Sequence, residues 1–352
     1  MLNQSTQQPK TRIDEYFGLK PTQDIGKYLM DKVEEYYQHL QTTGRFALWR
    51  RVYNAYYRGE QRGGRIRKAG RQNEYTLIFV NHFRNLIKHL CNQVTGQKPT
   101  PEPQAINTDY DSQAQTVTAR GILDYYDRYA DVEGFIDRSV ENAGVYGEGY
   151  VSMTFDTSIG EDYLPQQNGQ MIKTGDISFQ SHTPLEVIRD ISLTLSQKHN
   201  WKIVRRFENK YEYAAKYPQY ADKILSIDPD KENLWKTSFE IVKAESSAIP
   251  VFTFYHDRSN ILPNGRQVEF LDNDVVTFDG PLAYKHIPVY DLVPDVKEGL
   301  AFGYTIAYDL LPLQEAYDGL ASIIMTNQSN FGVQNIAIPK GSNLSVSKYR
   351  MG

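Results

Sequence analysis

The order of two hydrophobic patterns constrains the fold of this 352-residue chain more than any other feature. Between Asp24 and Leu40, and in several later segments up to about residue 145, apolar residues recur with the spacing of amphipathic helices. From 160 to 290 they alternate with polar residues in short runs, such as PVFTFYH at 250–256, with one helical interruption at 210–227. Helices followed by a mostly antiparallel sheet predict the α+β fold class.

The individual elements of the N-terminal part follow from the same periodicity. A helix predicted at 79–94 cannot continue through Pro99, Pro101 and Pro103, because proline lacks the amide that a helix interior requires. The predicted elements before residue 160 are helices at 24–40, 46–57, 79–94, about 117–129 and 135–144, followed by a strand at 150–155.

A short basic segment at 58–71 interrupts the helical pattern. Its glycines, at 59, 63, 64 and 70, predict a mobile loop without a regular element. Such a loop could follow DNA phosphates without reading sequence. The alternative is a solvated loop, or one that pairs with acidic groups in an oligomer. Its six basic residues are Arg58, Arg62, Arg65, Arg67, Lys68 and Arg71.

The most regular helical pattern follows Gly303. Steps of four and three residues form a heptad-like stripe that can pack against another helix, although the same stripe is also typical of a core helix. Pro312 predicts a kink near 308–312 or a helix that begins at Pro312. After Phe331 the segment QNIAIP predicts a strand. The stripe comprises Ile306, Leu310, Leu313, Tyr317, Leu320, Ile324 and Asn327.

The composition excludes several classes of protein. The chain carries 39 basic and 43 acidic residues, a net charge of −4, so it has no global basic field that would coat DNA. Its mean hydropathy is −0.57, and its longest apolar run is far shorter than a bilayer span. Cys91 is the single cysteine, which excludes an internal disulfide and favours a reducing compartment; the first ten residues lack the apolar stretch of a secretory signal.

Motifs for catalysis and cofactor binding are absent from the sequence. It contains no GxxxxGK[ST] loop for phosphates, no HExxH pair and no GxSxG elbow. The pairs Ser181-His182 and His256-Asp257 are common in chains of this length, and His82 and His89 have no nearby carboxylate. We therefore predict no catalytic residue, cofactor or metal. The alternative is a nucleic-acid-processing enzyme whose carboxylates or histidines converge in three dimensions.

A series of segments in fixed order resembles the portal proteins of tailed bacteriophages, the head-to-tail connectors. The specificity lies in the order and spacing of these segments across about 300 residues, since no single motif is diagnostic. The segments are a tryptophan and tyrosine-rich stretch at 49–59, FVNHFRNLIKHLCNQVTGQKPTPEP at 79–103, ILDYYDRY at 122–129, ENAGVYGEGYVSM at 141–153, TPLEVIRDISL at 183–193, WKIVRR at 201–206, KYPQYADKI at 216–224, IPVYDLVP at 287–294 and the segment at 303–342.

The resemblance implies a domain organisation. Residues 1–12 would form a flexible arm, 13–302 a portal-like wing, 303–330 the first stem helix and 331–352 the start of an incomplete clip. Portals continue beyond the clip with a second stem helix, a tunnel loop and a crown, so we expect an N-terminal part of a longer portal or a reduced relative. Ile191 also stands where the family often has proline.

The resemblance also implies a function. Portals are not enzymes; they form a dodecameric ring at one capsid vertex of the virion, assembled in the host cytoplasm. Double-stranded DNA passes through the channel independently of its sequence during packaging and ejection. The expected partners are further copies of the chain, the terminase large subunit, tail adaptor proteins and the capsid protein, with no membrane contact. Another head-tail adaptor component is the remaining alternative. Further candidates for DNA or partner contacts are Lys340, Lys348 and Arg350.

Overall fold

A computed structural model describes residues 15–57, 66–69, 75–96, 102–105, 107–165, 171–227 and 247–331. Its helices are α1 (Thr22–Thr42), α2 (Arg45–Tyr57), α3 (His82–Gly96), α4 (Tyr110–Tyr129), α5 (Val132–Tyr146), α6 (Lys210–Lys216), α7 (Ala221–Ser226) and α8 (Ala307–Phe331). Its strands are β1 (Ile66–Ala69), β2 (Tyr75–Ile78), β3 (Gly149–Asp156), β4 (Asp162–Pro165), β5 (Met171–Lys173), β6 (Asp176–His182), β7 (Val187–Arg189), β8 (Trp201–Asn209), β9 (Ala248–His256), β10 (Arg266–Asp272), β11 (Val275–Gly280) and β12 (Val289–Leu292).

The largest sheet has five strands in the order β11-β10-β9-β8-β7, and all of its pairings are antiparallel. The central strand β9 is buried along almost its whole length, including Phe252 and Phe254. The three-stranded sheet β12-β3-β6 is also antiparallel, and its Tyr150 packs in one cluster with Val187 and Tyr255. This mixture of helices and antiparallel sheets confirms the predicted α+β class.

Helix α1 shows why the helical pattern was informative. Most of its apolar residues occupy one buried face, and Ile25, Leu29 and Val33 are fully buried. Tyr36 and Tyr37 belong to the same face and donate hydrogen bonds to the carbonyls of Pro184 and Leu185, at 2.8 and 2.7 Å. The buried tyrosines therefore keep partners for their hydroxyl groups, as burial requires.

The backbone contacts divide the chain into two compact units, each built from discontinuous segments. One contains residues 1–53 and 86–308, and the other contains residues 54–85 and 309–352. Within the described part, the second unit holds the β1-β2 hairpin and most of α8.

Three local expectations are wrong. The predicted loop at 58–71 contains a strand, β1, because IRKA between its glycines pairs antiparallel with β2. The helix expected over 210–227 is split into α6 and α7 by a turn at Pro218, which cannot donate a helix hydrogen bond. The alternative of a helix that begins at Pro312 is wrong, because α8 begins at Ala307 and Pro312 lies inside it, whereas the kink near 308–312 stays a prediction.

Candidate assembly surface

Helix α8 presents a row of polar side chains to the edge of strand β2. The row occupies every fourth position, and three of its members accept hydrogen bonds from backbone amides. These bonds run from the amide of Thr76 to Thr326 Oγ1 (2.9 Å), from the amide of Ile78 to Ser322 Oγ (3.0 Å) and from the amide of Val80 to Asp318 Oδ1 (3.2 Å). The side chains of one helix therefore take the place of a neighbouring strand.

Gln314 closes this polar row at its N-terminal end. Its Nε2 donates to the carbonyl oxygen of Val80 at 2.7 Å, and its Oε1 accepts from the amide of Phe83 at 3.0 Å. The spacing of the polar row along α8 nearly matches the spacing of the paired amides along β2, because four helical residues rise about 6.0 Å and two strand residues about 6.6 Å. A four-residue step along α8 therefore stays in register with a two-residue step along the extended chain.

The predicted apolar stripe lies on the other side of α8. Leu313, Leu320 and Ile324 are 66%, 63% and 60% exposed, and Tyr317 is also exposed. Ile306, predicted as the first residue of the stripe, is exposed in the turn before α8. At about 100° per residue, this stripe points away from the polar row. Leu310 is half-buried. The amphipathic character of α8 is thus inverted within the chain, since its polar row is paired and its apolar stripe faces solvent.

The charges on α8 distinguish the kinds of partner that it suits. The helix contains Asp309, Glu315 and Asp318 and no lysine or arginine. Phosphate binding depends on basic groups, so an acidic helix does not attract a nucleic-acid backbone. The buried centre of a protein interface is more apolar than the rest of the surface, contains few charges and is enriched in tyrosine. The stripe is therefore a candidate surface for contact with protein.

The first residues of α8 are held by buried hydrogen bonds. The indole nitrogen of Trp49 donates to the carbonyl of Tyr146 and to the hydroxyl oxygen of Tyr308, both at 3.0 Å. Tyr308 in turn donates to the carbonyl of Tyr146. Thr305 donates to the carbonyl of Gly144 at 2.6 Å. Burial raises the pKa of Tyr308, so its hydroxyl remains protonated and available as a donor.

A buried ion pair fixes the segment just before α8. Arg189 and Glu148 lie 2.9 Å apart and are almost completely inaccessible to solvent. Glu148 Oε1 accepts from the amide of Gly303 at 2.7 Å, and Arg189 donates to the carbonyl of Ala301 at 2.5 Å. Although burial opposes its charge, Tyr150 and Glu148 raise the pKa of Arg189 above its usual value. The pair therefore neutralises two buried charges and also fixes the backbone at Ala301 and Gly303.

Few of the predicted basic contact residues lie within the described part of the chain. Lys68 is exposed on β1 and donates to Thr76 Oγ1 at 2.9 Å and to Ser329 Oγ at 3.2 Å. Arg67 belongs to the same strand. Outside the described residues lie Arg58, Arg62, Arg65, Arg71, Lys340, Lys348 and Arg350, together with the segments predicted as an arm and as a clip.

Helix α4 is a second element with an exposed apolar face. None of its 20 residues is buried. Tyr110, Val117 and Tyr129 are 83%, 73% and 78% exposed. Tyr126 holds its C-terminal end by donating to Asp176 Oδ1 at 2.6 Å and by an edge contact with Phe179. The helix offers further apolar surface, although its charges, Asp111, Arg120, Asp124, Asp127 and Arg128, do not indicate a partner.

One described cluster has the residue types of a hydrolase triad. Ser152 Oγ lies 2.7 Å from His182 Nε2, and His182 Nδ1 lies 3.8 Å from Glu186 Oε2. The second distance exceeds that of a hydrogen bond, and both Ser152 and His182 are buried. Burial lowers the pKa of His182. The hydroxyl of Ser152 is therefore not presented to a substrate in this arrangement.

Several residues of the candidate surface were missed in the sequence. The polar row of Gln314, Asp318, Ser322 and Thr326 has the four-residue period of a helix face, but polar side chains on a helix are ordinarily assigned to solvent. The Glu148-Arg189 pair carries no sequence signal, because its members come from distant segments. The polar row could have been identified from one sequence pattern, a row of hydrogen-bonding residues opposite an apolar stripe on the same helix.

Within the described segments, no group of three or more His, Cys, Asp or Glu is placed to hold a metal ion. Among the same residues, no helix has the length and apolar character needed to cross a bilayer. No protein-family model matches the chain, and no curated protein shows significant similarity to it.

Proposed function

We propose that this chain is a subunit of a ring-shaped portal at a capsid vertex, assembled through the exposed apolar stripe of α8. The observation that carries the proposal is the inverted amphipathic character of this helix. Its polar row is already paired with strand β2, so Leu313, Leu320 and Ile324 have no apolar surface of their own chain to cover them in the described segments. Removing such a stripe from water is the main favourable term in association.

A heterologous contact between copies through a patch of this kind leads to a closed assembly when its rotation closes. Each copy then uses two different surfaces, one toward each neighbour, and a rotation that closes gives a ring instead of a filament. The sequence resemblance supports the dodecameric ring, with α8 as the first stem helix.

The charge of the chain supports a conduit for double-stranded DNA. A wall with many basic groups would bind phosphates and hold the duplex, whereas a chain of net charge −4 with an acidic α8 permits movement. In this proposal the ring passes DNA without reading its sequence and occupies the portal vertex of the virion. The terminase large subunit, tail adaptor proteins and capsid protein are its partners, and the ring itself catalyses no reaction.

The proposal is tested with Leu320→Asp, measured by native mass spectrometry and negative-stain imaging. We expect wild-type chains to form rings with a central opening, and the variant to remain monomeric because a carboxylate would be buried in the contact. Ala316→Asp is the matched control: Ala316 is exposed on the same helix but lies outside both rows, so its ring should persist.

The outcomes are distinct. Rings that form equally well with Leu320→Asp would show that the stripe does not carry the contact. A wild-type chain that stays monomeric at every concentration would contradict the ring itself. Loss of assembly by both variants would indicate a general effect of added negative charge and would also count against the stripe.

A further inference from the structure

Strand β7 is a short edge strand of the five-stranded sheet. It contains three residues, Val187–Arg189, and within the described segments it pairs with β8 on one side only. Its last residue, Arg189, binds Glu148 and the carbonyl of Ala301, and Glu148 accepts from the amide of Gly303. A short strand that is paired on one side opens at lower cost than a central strand. The backbone before α8 is therefore held by an element that can open locally.

His199 lies at the same end of the sheet and is buried without a hydrogen bond to its ring. It comes three residues before Lys202, which is the residue of β8 directly opposite Arg189. His199 is 8% exposed, and neither of its ring nitrogens has a hydrogen-bond partner in the described segments. Buried polar groups of native proteins are ordinarily paired. A proton added to this ring would therefore find no acceptor among the described residues in the present arrangement.

The charged groups around His199 come from three strands. Burial lowers the pKa of His199, and the positive charges of Arg189 on β7 and Lys202 on β8 lower it further. Asp291 on β12 and Asp190, which follows β7, act in the opposite sense with smaller effects. Both carboxylates are already bonded, Asp291 to Lys202 at 2.8 Å and Asp190 to the second amide after it at 2.9 Å. The neutral form of His199 is thus favoured while β7 is paired.

We infer that His199 is an acid-sensitive lock on strand β7. When its ring takes up a proton, β7 separates from β8, and the backbone at 301–303 is released from Arg189 and Glu148. The bonds that hold the start of α8 to the carbonyls of residues 144 and 146 involve neither of these groups, so the release is confined to the segment before α8. The inference concerns one chain and does not depend on ring assembly.

The direction of the pH dependence follows from the two states of β7. In the paired state the pKa of His199 is lowered, whereas in the open state solvent restores it toward its ordinary value of about 6.5. The open state therefore binds more protons, and its population rises as the pH falls below that value. With one proton taken up per opening, the equilibrium constant for opening rises by up to about tenfold for each pH unit, down to the lowered value.

The test is hydrogen exchange resolved to single amides, measured from about pH 8 to about pH 5, with each rate divided by the intrinsic rate at that pH. The amide of Arg205 reports on β7, because it donates to the carbonyl of Glu186 at 2.8 Å. The amide of Gly303 reports on the released segment. We expect the protection of both amides to fall together below about pH 6.5. The Leu320→Asp background keeps assembly out of the measurement.

Two substitutions separate His199 from the other histidines. His199→Phe keeps an aromatic ring, cannot take up a proton and removes no hydrogen bond to the described residues, so the pH dependence at both amides should disappear. His286→Phe is the matched control, because the side chain of His286 is 64% exposed, and the dependence should persist in it. His199→Gln also cannot take up a proton in this range, and it repeats the measurement without a second phenyl ring in the core.

Three outcomes would overturn the inference. Constant protection of both amides in the wild-type chain would show that β7 stays paired whatever the charge of His199. The same pH dependence in wild type and in the two His199 variants would assign the opening to other groups. Loss of protection at Arg205 without loss at Gly303 would show that β7 opens without releasing the backbone before α8.

Discussion

Helices α1 and α8 are both long and both amphipathic, yet they turn opposite faces toward their own chain. Helix α1 buries Leu29 and Val33 and exposes its acidic residues, whereas α8 pairs its polar row and exposes Leu320 and Ile324. The difference follows from what each helix meets. Helix α1 lies near β10 and β11 of the large sheet, and its apolar side chains are buried there. Helix α8 meets the edge of β2, where its polar side chains pair with backbone amides.

The comparison teaches that the inward face of a helix is selected by its partner. A sheet face consists of side chains and favours apolar residues, while a strand edge consists of backbone donors and acceptors and favours polar residues. An apolar stripe therefore indicates the inner face of a helix only when a sheet face or another helix covers it. When the polar row is already paired, the stripe indicates a surface for another chain.

The strongest test of the comparison is truncation of one leucine in each helix. Leu29→Ala should lower the free energy of unfolding by about 2–5 kcal/mol, because it opens a cavity in a packed core. Leu320→Ala should change that of the monomer by less than about 0.5 kcal/mol, because its side chain faces solvent. Denaturant unfolding of monomeric protein measures both values. Equal losses would mean that Leu320 packs within its own chain.

A second prediction concerns the residues that hold the start of α1. Asp279 accepts hydrogen bonds from Arg266 at 2.8 and 2.6 Å and from Thr22 at 2.5 Å. Although burial acts in the opposite sense, these partners lower the pKa of Asp279 below its usual value. The stabilisation is therefore present above the pKa of the unfolded chain, near 4, and is lost as the pH falls through the lower folded value.

Asp279→Asn should accordingly lower the free energy of unfolding by about 2 kcal/mol at pH 7, and by progressively less as the pH falls from the usual aspartate pKa toward the lowered folded value. Unfolding curves measured across this pH range test the prediction. Asp274→Asn is the control, since Asp274 is exposed in the turn between β10 and β11 and should have little effect. A cost that does not depend on pH would show that the carboxylate charge is unimportant there.

The smallest expected effect tests the polar row itself. Ser322→Ala should destabilise the chain by about 1 kcal/mol and speed amide exchange at Ile78, whose partner it removes. Ser329→Ala should have a smaller effect, because Ser329 is exposed and its bond to Lys68 is long. Hydrogen exchange resolved to single residues makes the comparison. Unchanged exchange at Ile78 would mean that water replaces the hydroxyl without loss.

Much of the fold could be predicted from local periodicity. The helices α1, α2 and α5 coincide with their predicted segments, and the strands from β6 to β11 lie within the region predicted to form short strands, because apolar residues repeat there at the period of each element. Strand β1 was missed because glycines flank it, and pairing with β2 outweighs its weak local preference.

The candidate surface was less accessible to sequence reasoning. The apolar stripe of α8 was recognised, but a stripe alone does not reveal whether its own chain covers it. That information depends on the hydrogen bonds between residues about 250 positions apart, such as Thr76 and Thr326. The buried pair of Glu148 and Arg189 likewise depends on tertiary structure, since an isolated glutamate and arginine are ordinarily solvated.

The pairing of α8 with β2 also has a consequence for solubility. An open strand edge is a template on which other chains can add, and proteins commonly protect such edges with charge, proline or a covering element. Here the covering element is a helix whose side chains occupy the amides of Thr76, Ile78 and Val80. A chain shortened before Gln314 would uncover this edge, and its expected failure is intermolecular β-aggregation.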